Sequence, residues 1–263
     1  MEREFTGRVA VVTGAAQGIG RASSKRLARG GARVWLLDRD TVAGNELVSD
    51  IHGEGGDAEF IETELGDALS VTAAFDQILR TDEGIDLLHN NAGIQRYGTV
   101  VETTEEMWDE VFRVNVKSAY LVCHHAVPLM QTRGGGSIVL TSSVQAYATQ
   151  SRVVAYAASK GALTTMTMAM ALDHAKERIR VNAVAPGSVD TPMLQSSAEL
   201  FQPSDPQSLL DRWGSGHPVG RLATPDEVAE VVMFLLSDRA SFVTGTTVRV
   251  DGGLLSQIGV PLP

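Results

Sequence analysis

Seven short runs rich in Val, Ile and Leu recur along the chain: RVAVVTG (8–14), RVWLLD (33–38), AEFIE (58–62), IDLLHNNAG (85–93), GSIVLTSS (136–143), IRVNAVAPG (179–187) and TTVRVDGG (246–253). Their apolar residues are consecutive instead of alternating with polar ones. That pattern predicts strands buried on both faces, hence a parallel sheet covered by helices. The stretches between them have a different rhythm: GIGRASSKRLARGGA and EVAEVVMFLLSD carry apolar residues at helical spacing, and the first closes on Gly30-Gly31 as a stop. Alternating strand and helix predict the α/β class, as a doubly wound parallel sheet of about seven strands with helices on both faces. No linker, low-complexity tract or fixed-period repeat interrupts the pattern, so residues 1–263 are expected to form a single domain. The one irregular stretch is LQSSAELFQPSDPQSLLDRWGSGHP (194–218), with prolines and glycines around a few apolar residues. An excursion of that length in a compact domain is expected to be a lid over a binding site.

Composition narrows the function. With 263 residues, 43% hydrophobic and 21% charged, the chain is long enough for one sizeable core. A net charge of -10 and the lack of any Lys/Arg cluster argue against nucleic acid and anionic membranes as partners. The single cysteine, Cys123, leaves no internal disulfide and fits a reducing compartment. The start, MEREFTGRVAVVTG, has no long apolar run behind a basic end, so neither a signal peptide nor an anchor is expected and the expected location is cytoplasmic. Cys123-His124-His125 suggests metal chemistry, but adjacent residues diverge by about 100° around a helix. No metal is expected there.

Doubly wound sheets bind ligands at the carboxyl ends of their strands, and the first such end reads VVTGAAQGIGRA. Gly14, Gly18 and Gly20 stand where a strand turns into a helix; glycine permits the tight turn and brings backbone N–H groups close to an anion at the helix N-terminus. An ordinary tight turn would use the same glycines, so the context decides. The second strand ends in Asp38, 18 residues after Gly20, where a carboxylate can accept hydrogen bonds from an adenosine ribose. The same charge repels a 2′-phosphate, which favours NAD over NADP, although Arg39 beside it could partly offset that repulsion. Further along, Tyr156 and Lys160 are four residues apart, about one helical turn, and so share one face. A phenol of ordinary pKa near 10 must fall by roughly 3 to act as a base near neutral pH, worth about 4 kcal/mol. An adjacent ammonium and the positive ring of NAD⁺ would favour the phenolate.

These residues resemble the short-chain dehydrogenase/reductase family in its single-domain branch, with glucose 1-dehydrogenase-like and 3-oxoacyl reductase-like members. The resemblance runs from about Gly7 to Gly253, through Thr13-Gly14-Ala15-Ala16-Gln17-Gly18-Ile19-Gly20, Asn90-Asn91-Ala92-Gly93, Asn115, Ser143, Tyr156-x-x-x-Lys160, Pro186-Gly187 with Thr191, and FVTGTTVRVDGG. It implies a dinucleotide-binding and catalytic domain and an NAD(H)-dependent oxidoreductase acting on a secondary alcohol or ketone. It further implies that Tyr156 is the acid/base, that Lys160 lowers its pKa and holds the nicotinamide ribose, that Ser143 orients the substrate oxygen, and that Asn115 positions a relay water. The cofactor-binding set it implies is Gly14, Gln17, Gly18, Ile19, Gly20, Asp38, Arg39, Glu64, Leu65, Asn91, Ala92, Gly93, Tyr156, Lys160, Pro186, Gly187, Val189 and Thr191. Gln17 stands where relatives that use NADP often carry a base, in agreement with Asp38. Glu64-Leu65 departs from the usual Asp and β-branched pair, so a shifted adenine contact is expected.

The substrate is expected to meet Ser143, Gln145, Gln150, Tyr156, Met193 and Trp213, with Gln95, Tyr97 and Tyr147 nearby. Glutamines and a tryptophan suit a sugar or cyclic polyol. The alternatives are a 3-oxoacyl thioester, a hydrophobic alcohol, and a non-catalytic redox sensor. Carrier-borne thioesters fit poorly, because the lid's Glu199, Asp205 and Asp211 outnumber Arg212 and would repel an acidic carrier. Ala158, Ala162, Thr165, Ala169 and Leu172 form a small, uncharged face opposite the Tyr156 side, and the family's paired helices then imply a homotetramer.

Overall fold

The computed structural model describes residues 4–257. The seven apolar runs form seven strands: β1 (Val9–Thr13), β2 (Arg33–Asp38), β3 (Asp57–Glu62), β4 (Leu87–Asn90), β5 (Gly136–Thr141), β6 (Ile179–Pro186) and β7 (Thr247–Val250). They make one sheet in the order β3-β2-β1-β4-β5-β6-β7, and every pairing is parallel. The order reverses between β1 and β4, which opens a crevice above their carboxyl ends. The glycine turn and Asn90-Asn91 sit there because Thr13 and Asn90 are register partners.

Helices α1 (Gly18–Arg29), α2 (Thr41–Gly53), α3 (Ala68–Thr81), α4 (Glu105–Phe112), α5 (Ser118–Thr132), α6 (Val154–His174), α7 (Pro192–Phe201), α8 (Pro206–Ser215) and α9 (Pro225–Leu236) complete the framework. Leu27 of α1, Leu47 and Ile51 of α2, and Val228 and Val232 of α9 pack against Val12, Val34, Leu36 and Val139 on one sheet face. Phe75 and Ile78 of α3, Val122 and Met130 of α5, and Leu163 and Ala171 of α6 cover Val11, Trp35, Leu88 and Ile138 on the other. Both faces of the central strands are therefore dry, and each fully buried aliphatic side chain contributes about 1.5–3 kcal/mol. Helix α9 starts with a complete capping box, Thr224 and Glu227 exchanging bonds with each other's backbone.

The stretch expected to be irregular is helical. Residues 194–218 fall largely in α7 and α8, each with proline in its first turn, where the absent N–H costs nothing. Pro206, one of the prolines that broke the sequence pattern, is the start of α8. The two helices also enclose a small apolar cluster of their own, Ala198, Leu209 and Leu210 with Leu194 and Trp213 against them.

Candidate active site

The glycine turn is set by contacts no larger residue could make. Gly14 has φ +59°, and a Cβ there would lie 2.9 Å from the Ala92 Cα; one on Gly20 would lie 2.0 Å from the Gly14 carbonyl oxygen. The first helical turn therefore packs directly on the loop that precedes it, and the α1 N-terminus opens into the crevice. Asn91 Nδ2 donates to the Thr13 and Gly14 carbonyls at 3.3 and 3.2 Å, which ties the β4 end to the turn. Asp38 accepts from the Ala16 N–H at 3.0 Å and from the Asp40 N–H at 3.1 Å, so its carboxylate is held beside the glycine turn. Gln17 Nε2 donates to Asp40 at 3.2 Å. Two carboxylates thus stand near the rim, with Arg39 exposed between them in sequence.

On the far side, α6 carries Tyr156 and Lys160. Lys160 is buried, its Nζ donating to the Thr141 carbonyl at 2.7 Å and standing 5.5 Å from the Tyr156 ring centroid. Ser143 caps a short 3-10 turn after β5, its Oγ accepting from the Gln145 N–H at 3.1 Å. The Ser143 side chain stands close enough to the Tyr156 phenol to favour its charged form. Asn115 is fully buried in a π-helical turn, Arg113–Lys117, between α4 and α5. Its Oδ1 accepts from the Ile94 N–H at 2.8 Å, and its Nδ2 donates to the Ile94 carbonyl and to Ser159, each at 2.9 Å. A Cβ on Gly93 would lie 3.3 Å from Lys160 Nζ and 3.4 Å from Asn115 Oδ1, so the bare glycine backbone runs close to both.

The electrostatics depart from the expectation. Burial pushes the Tyr156 phenol up to about 12, opposed by the Ser143 side chain and reinforced by Tyr97. Burial likewise pushes Lys160 down to about 8. The expected lowering of Tyr156 by its lysine is therefore outweighed within the chain itself: desolvation penalises both charged forms.

One cavity of about 580 Å³ brings these groups together. Its walls include Gly14, Gln17, Gly18, Ile19, Asn91, Gly93, Pro186, Gly187, Val189 and Thr191 of the expected cofactor set, together with Ser143, Tyr156 and Lys160. Gln145, Gln150, Met193 and Trp213 line it too, as do Gln95 and Tyr97, whereas Tyr147 is exposed and off the wall. Thr191 caps α7 as well, accepting from the Leu194 N–H. Gly20, Asp38, Arg39, Glu64, Leu65, Ala92 and Asn115 lie outside that wall. Glu64 accepts from Arg113 at 3.1 Å and from the Gly66 N–H at 3.3 Å, and Leu65 is buried. Sequence reasoning missed Leu254 and Leu255, which close the wall from beyond β7. Their signal was positional: whatever follows the last strand emerges at the same edge as the other strand ends. Cys123, His124 and His125 are engaged separately, the buried thiol accepting from Asn90, His125 stacking on Phe75 and His124 tilted against Tyr120 with its ring edge-to-face on His125.

A parallel sheet with a glycine turn at its switch point, facing a paired tyrosine and lysine, defines a nucleotide-dependent oxidoreductase architecture. Residues 14–255 match a family model described as enoyl-(acyl carrier protein) reductase. The chain is 39% identical over 246 residues to a cyclopentanol dehydrogenase of Comamonas sp., covering 94% of this chain and 96% of that one. Among solved structures, the ligand-free aldohexose dehydrogenase of Thermoplasma acidophilum superposes with a TM-score of 0.90 at 35% identity, covering 100% of both chains. L-sorbose reductase of Gluconobacter frateurii, complexed with NADPH and L-sorbose, has a TM-score of 0.93 at 30% identity, covering 98% of this chain and 100% of its own. The chain belongs to the short-chain dehydrogenase/reductase family, whose members are oxidoreductases that bind a nicotinamide cofactor.

Proposed function

We propose that this chain is an NAD(H)-dependent dehydrogenase that moves a hydride between the nicotinamide and a secondary carbinol on a hydroxyl-bearing ring, a sugar or cyclic polyol. The observation that carries the reading is that a single cavity is lined by the glycine turn and by Tyr156, Ser143 and Lys160. Bound nicotinamide supplies the hydride acceptor or donor and, when oxidised, a positive ring that favours phenolate. Tyr156 Oη takes the carbinol proton in oxidation and returns it in reduction. Ser143 donates to the same substrate oxygen and holds it at hydrogen-bond distance from Tyr156. Lys160 is anchored by Thr141 beneath the phenol, and Asn115 fixes the Ile94 backbone beside it and is the member through which a relay water would be placed.

Asp38 supports NAD over NADP. Its oxygens each accept one backbone N–H and keep lone pairs for ribose hydroxyls, while Asp40 adds a second negative charge against a 2′-phosphate. Gln95, Gln145, Gln150, Tyr97 and Trp213 support a polyhydroxylated ring, as do the aldohexose and sorbose activities named for the structural neighbours. A plainer cyclic alcohol is the second reading, favoured by Met193, Leu194, Leu254 and Leu255 on the same wall and by the cyclopentanol dehydrogenase relative. The exposed lid acids Glu199, Asp205 and Asp211 weigh against a carrier-bound acyl substrate. We read α7 and α8 as the lid, and the exposed face of α6 as one contact of a homotetramer.

The test is an oxidation screen of sugars, polyols and cyclic alcohols with NAD⁺ and NADP⁺ in parallel, run on the wild type and on Tyr156→Phe. Turnover with NAD⁺ on polyols is expected, lost by roughly 10²–10⁴-fold in the variant with dinucleotide binding kept. Wild-type turnover in Tyr156→Phe would overturn the mechanism and admit a redox sensor. NADP⁺ preference would overturn the role of Asp38, and oxidation of only unsubstituted cyclic alcohols would overturn the polyol reading.

A further inference from the structure

Beneath the cleft floor runs a chain of side-chain hydrogen bonds that the proton-transfer set does not use. Asn91 Nδ2 is committed to the Thr13 and Gly14 carbonyls, so its Oδ1 must be the atom facing Thr141, whose Oγ1 donates to it at 3.2 Å. A hydroxyl has one proton. The 3.0 Å contact between Thr141 Oγ1 and His89 Nε2 must therefore carry its proton on nitrogen. His89 is thereby fixed as the neutral Nε2–H tautomer, and its Nδ1, buried, has no partner among the described residues. The ring is fully buried in β4, with Val12 of β1 and Val139 of β5 as its register partners. Burial also holds its pKa down at about 3, so it does not exchange protons near neutrality.

An aliphatic residue would pack in this apolar surrounding without stranding a polar nitrogen, which costs stability when buried. The compensation lies at the other nitrogen. We propose that His89 is a positioning residue for dinucleotide binding: by donating to Thr141 it sets the direction of the Thr141–Asn91 bonds and so holds the Gly14 carbonyl and the glycine turn in the shape that presents N–H groups to the cofactor. Without that donor the Thr141 hydroxyl can turn to other acceptors, Asn91 Oδ1 loses a directed hydrogen bond, and the hold of its amide on the Thr13 and Gly14 carbonyls loosens. Thr141 is also the residue whose carbonyl anchors Lys160, so both halves of the cleft meet on it. The inference rests on reading the crevice as a dinucleotide site.

The experiment compares wild type, His89→Leu, His89→Gln and Thr141→Val. It measures the NADH dissociation constant by fluorescence titration, the KM and kcat for the dinucleotide, and the Tm; ¹⁵N spectra report the imidazole tautomer. His89→Leu and Thr141→Val are expected to weaken NADH about tenfold, with the His89→Leu loss falling on Kd and KM and not on kcat. His89→Gln places an amide N–H near the lost ring donor and should restore binding to within about threefold of wild type. The His89 ring should remain the Nε2–H tautomer from about pH 5 to pH 9. Wild-type affinity in Thr141→Val, Gln binding as weakly as Leu, or an Nδ1–H tautomer overturns the proposal. Should His89→Leu fail to fold, the Gln, Thr141 and tautomer arms decide it. A wild type that binds neither NADH nor NADPH overturns the cofactor reading and this inference with it, whereas intact wild-type binding with unmoved variants overturns this inference alone.

Discussion

At the residue scale the site sets two opposed demands on one side chain: Lys160 must be charged to assist a phenolate, yet it lies in a buried position that pushes its pKa from an ordinary 10.5 to about 8. The folded chain therefore binds that proton more weakly than the unfolded one. Below about pH 8 the fold carries the whole cost of a buried ammonium, on the order of 3 kcal/mol, and the cost shrinks as pH rises from about 8 towards 10.5 and is gone above that, where both states are neutral. Lys160→Met is accordingly expected to be inactive and more stable than wild type, by up to that amount at pH 7. Urea unfolding at pH 7 and at about pH 10.5 checks it: the gain should shrink towards zero at the higher pH, and a variant less stable at pH 7 would show that the Thr141 bond outweighs desolvation. None of this imbalance is visible in YAASK as letters. The one-turn spacing of Tyr156 and Lys160 follows from helix geometry, but burial depends on β5 and on Gly93, which arrive from elsewhere in the chain. The same holds for Glu64, whose ion pair with Arg113 joins residues 49 apart in sequence and which no local pattern announces.

At the element scale the seven strands were legible because an apolar run buried on both sides is a property of contiguous residues, and the structure places all seven where the runs lie. The stretch 194–218 was legible as an excursion but not as helices. Prolines in first turns look like breaks until the helix that follows is seen, and the apolar spacing in α7 and α8 serves a small separate cluster. That separateness has a consequence. Leu209, buried at 4% exposure, contributes to the lid's cluster and to neither of the two sheet-face clusters. Leu209→Ala, a truncation that costs roughly 2–5 kcal/mol in a tight core, should loosen the lid while leaving the sheet intact. The expected outcome is a several-fold rise in substrate KM and faster proteolysis within residues 194–218, with the dinucleotide Kd unchanged. Cofactor affinity falling in step with substrate affinity would show that the lid is part of the cofactor site.

At the scale of the whole molecule, α6 carries Tyr156 and Lys160 and also an uncovered outer face. Its inner face, Leu163, Thr167 and Ala171, is buried in the chain, while Ala158, Thr165, Ala169 and Leu172 are exposed, Leu172 at 82% and Met168 at 47%. Tyr120 on the neighbouring α5 is 54% exposed, so apolar groups are uncovered on both helices. A second uncovered group lies apart from them in sequence: Phe242, fully exposed just before the edge strand β7. Two apolar surfaces on one chain generate a tetramer when each is self-complementary, because each closes one two-fold contact. Leu172→Glu adds a charge at the first surface and leaves the second alone, so it should convert tetramers to dimers without unfolding the chain. Sedimentation velocity reads this directly: wild type as a tetramer and Leu172→Glu as a dimer support the arrangement, whereas a monomeric wild type would falsify it. Tyr156 and Lys160 lie on the same helix, so the dimeric variant should also show a lower Tm for loss of activity, as α6 gives up the partner that braces its outer face.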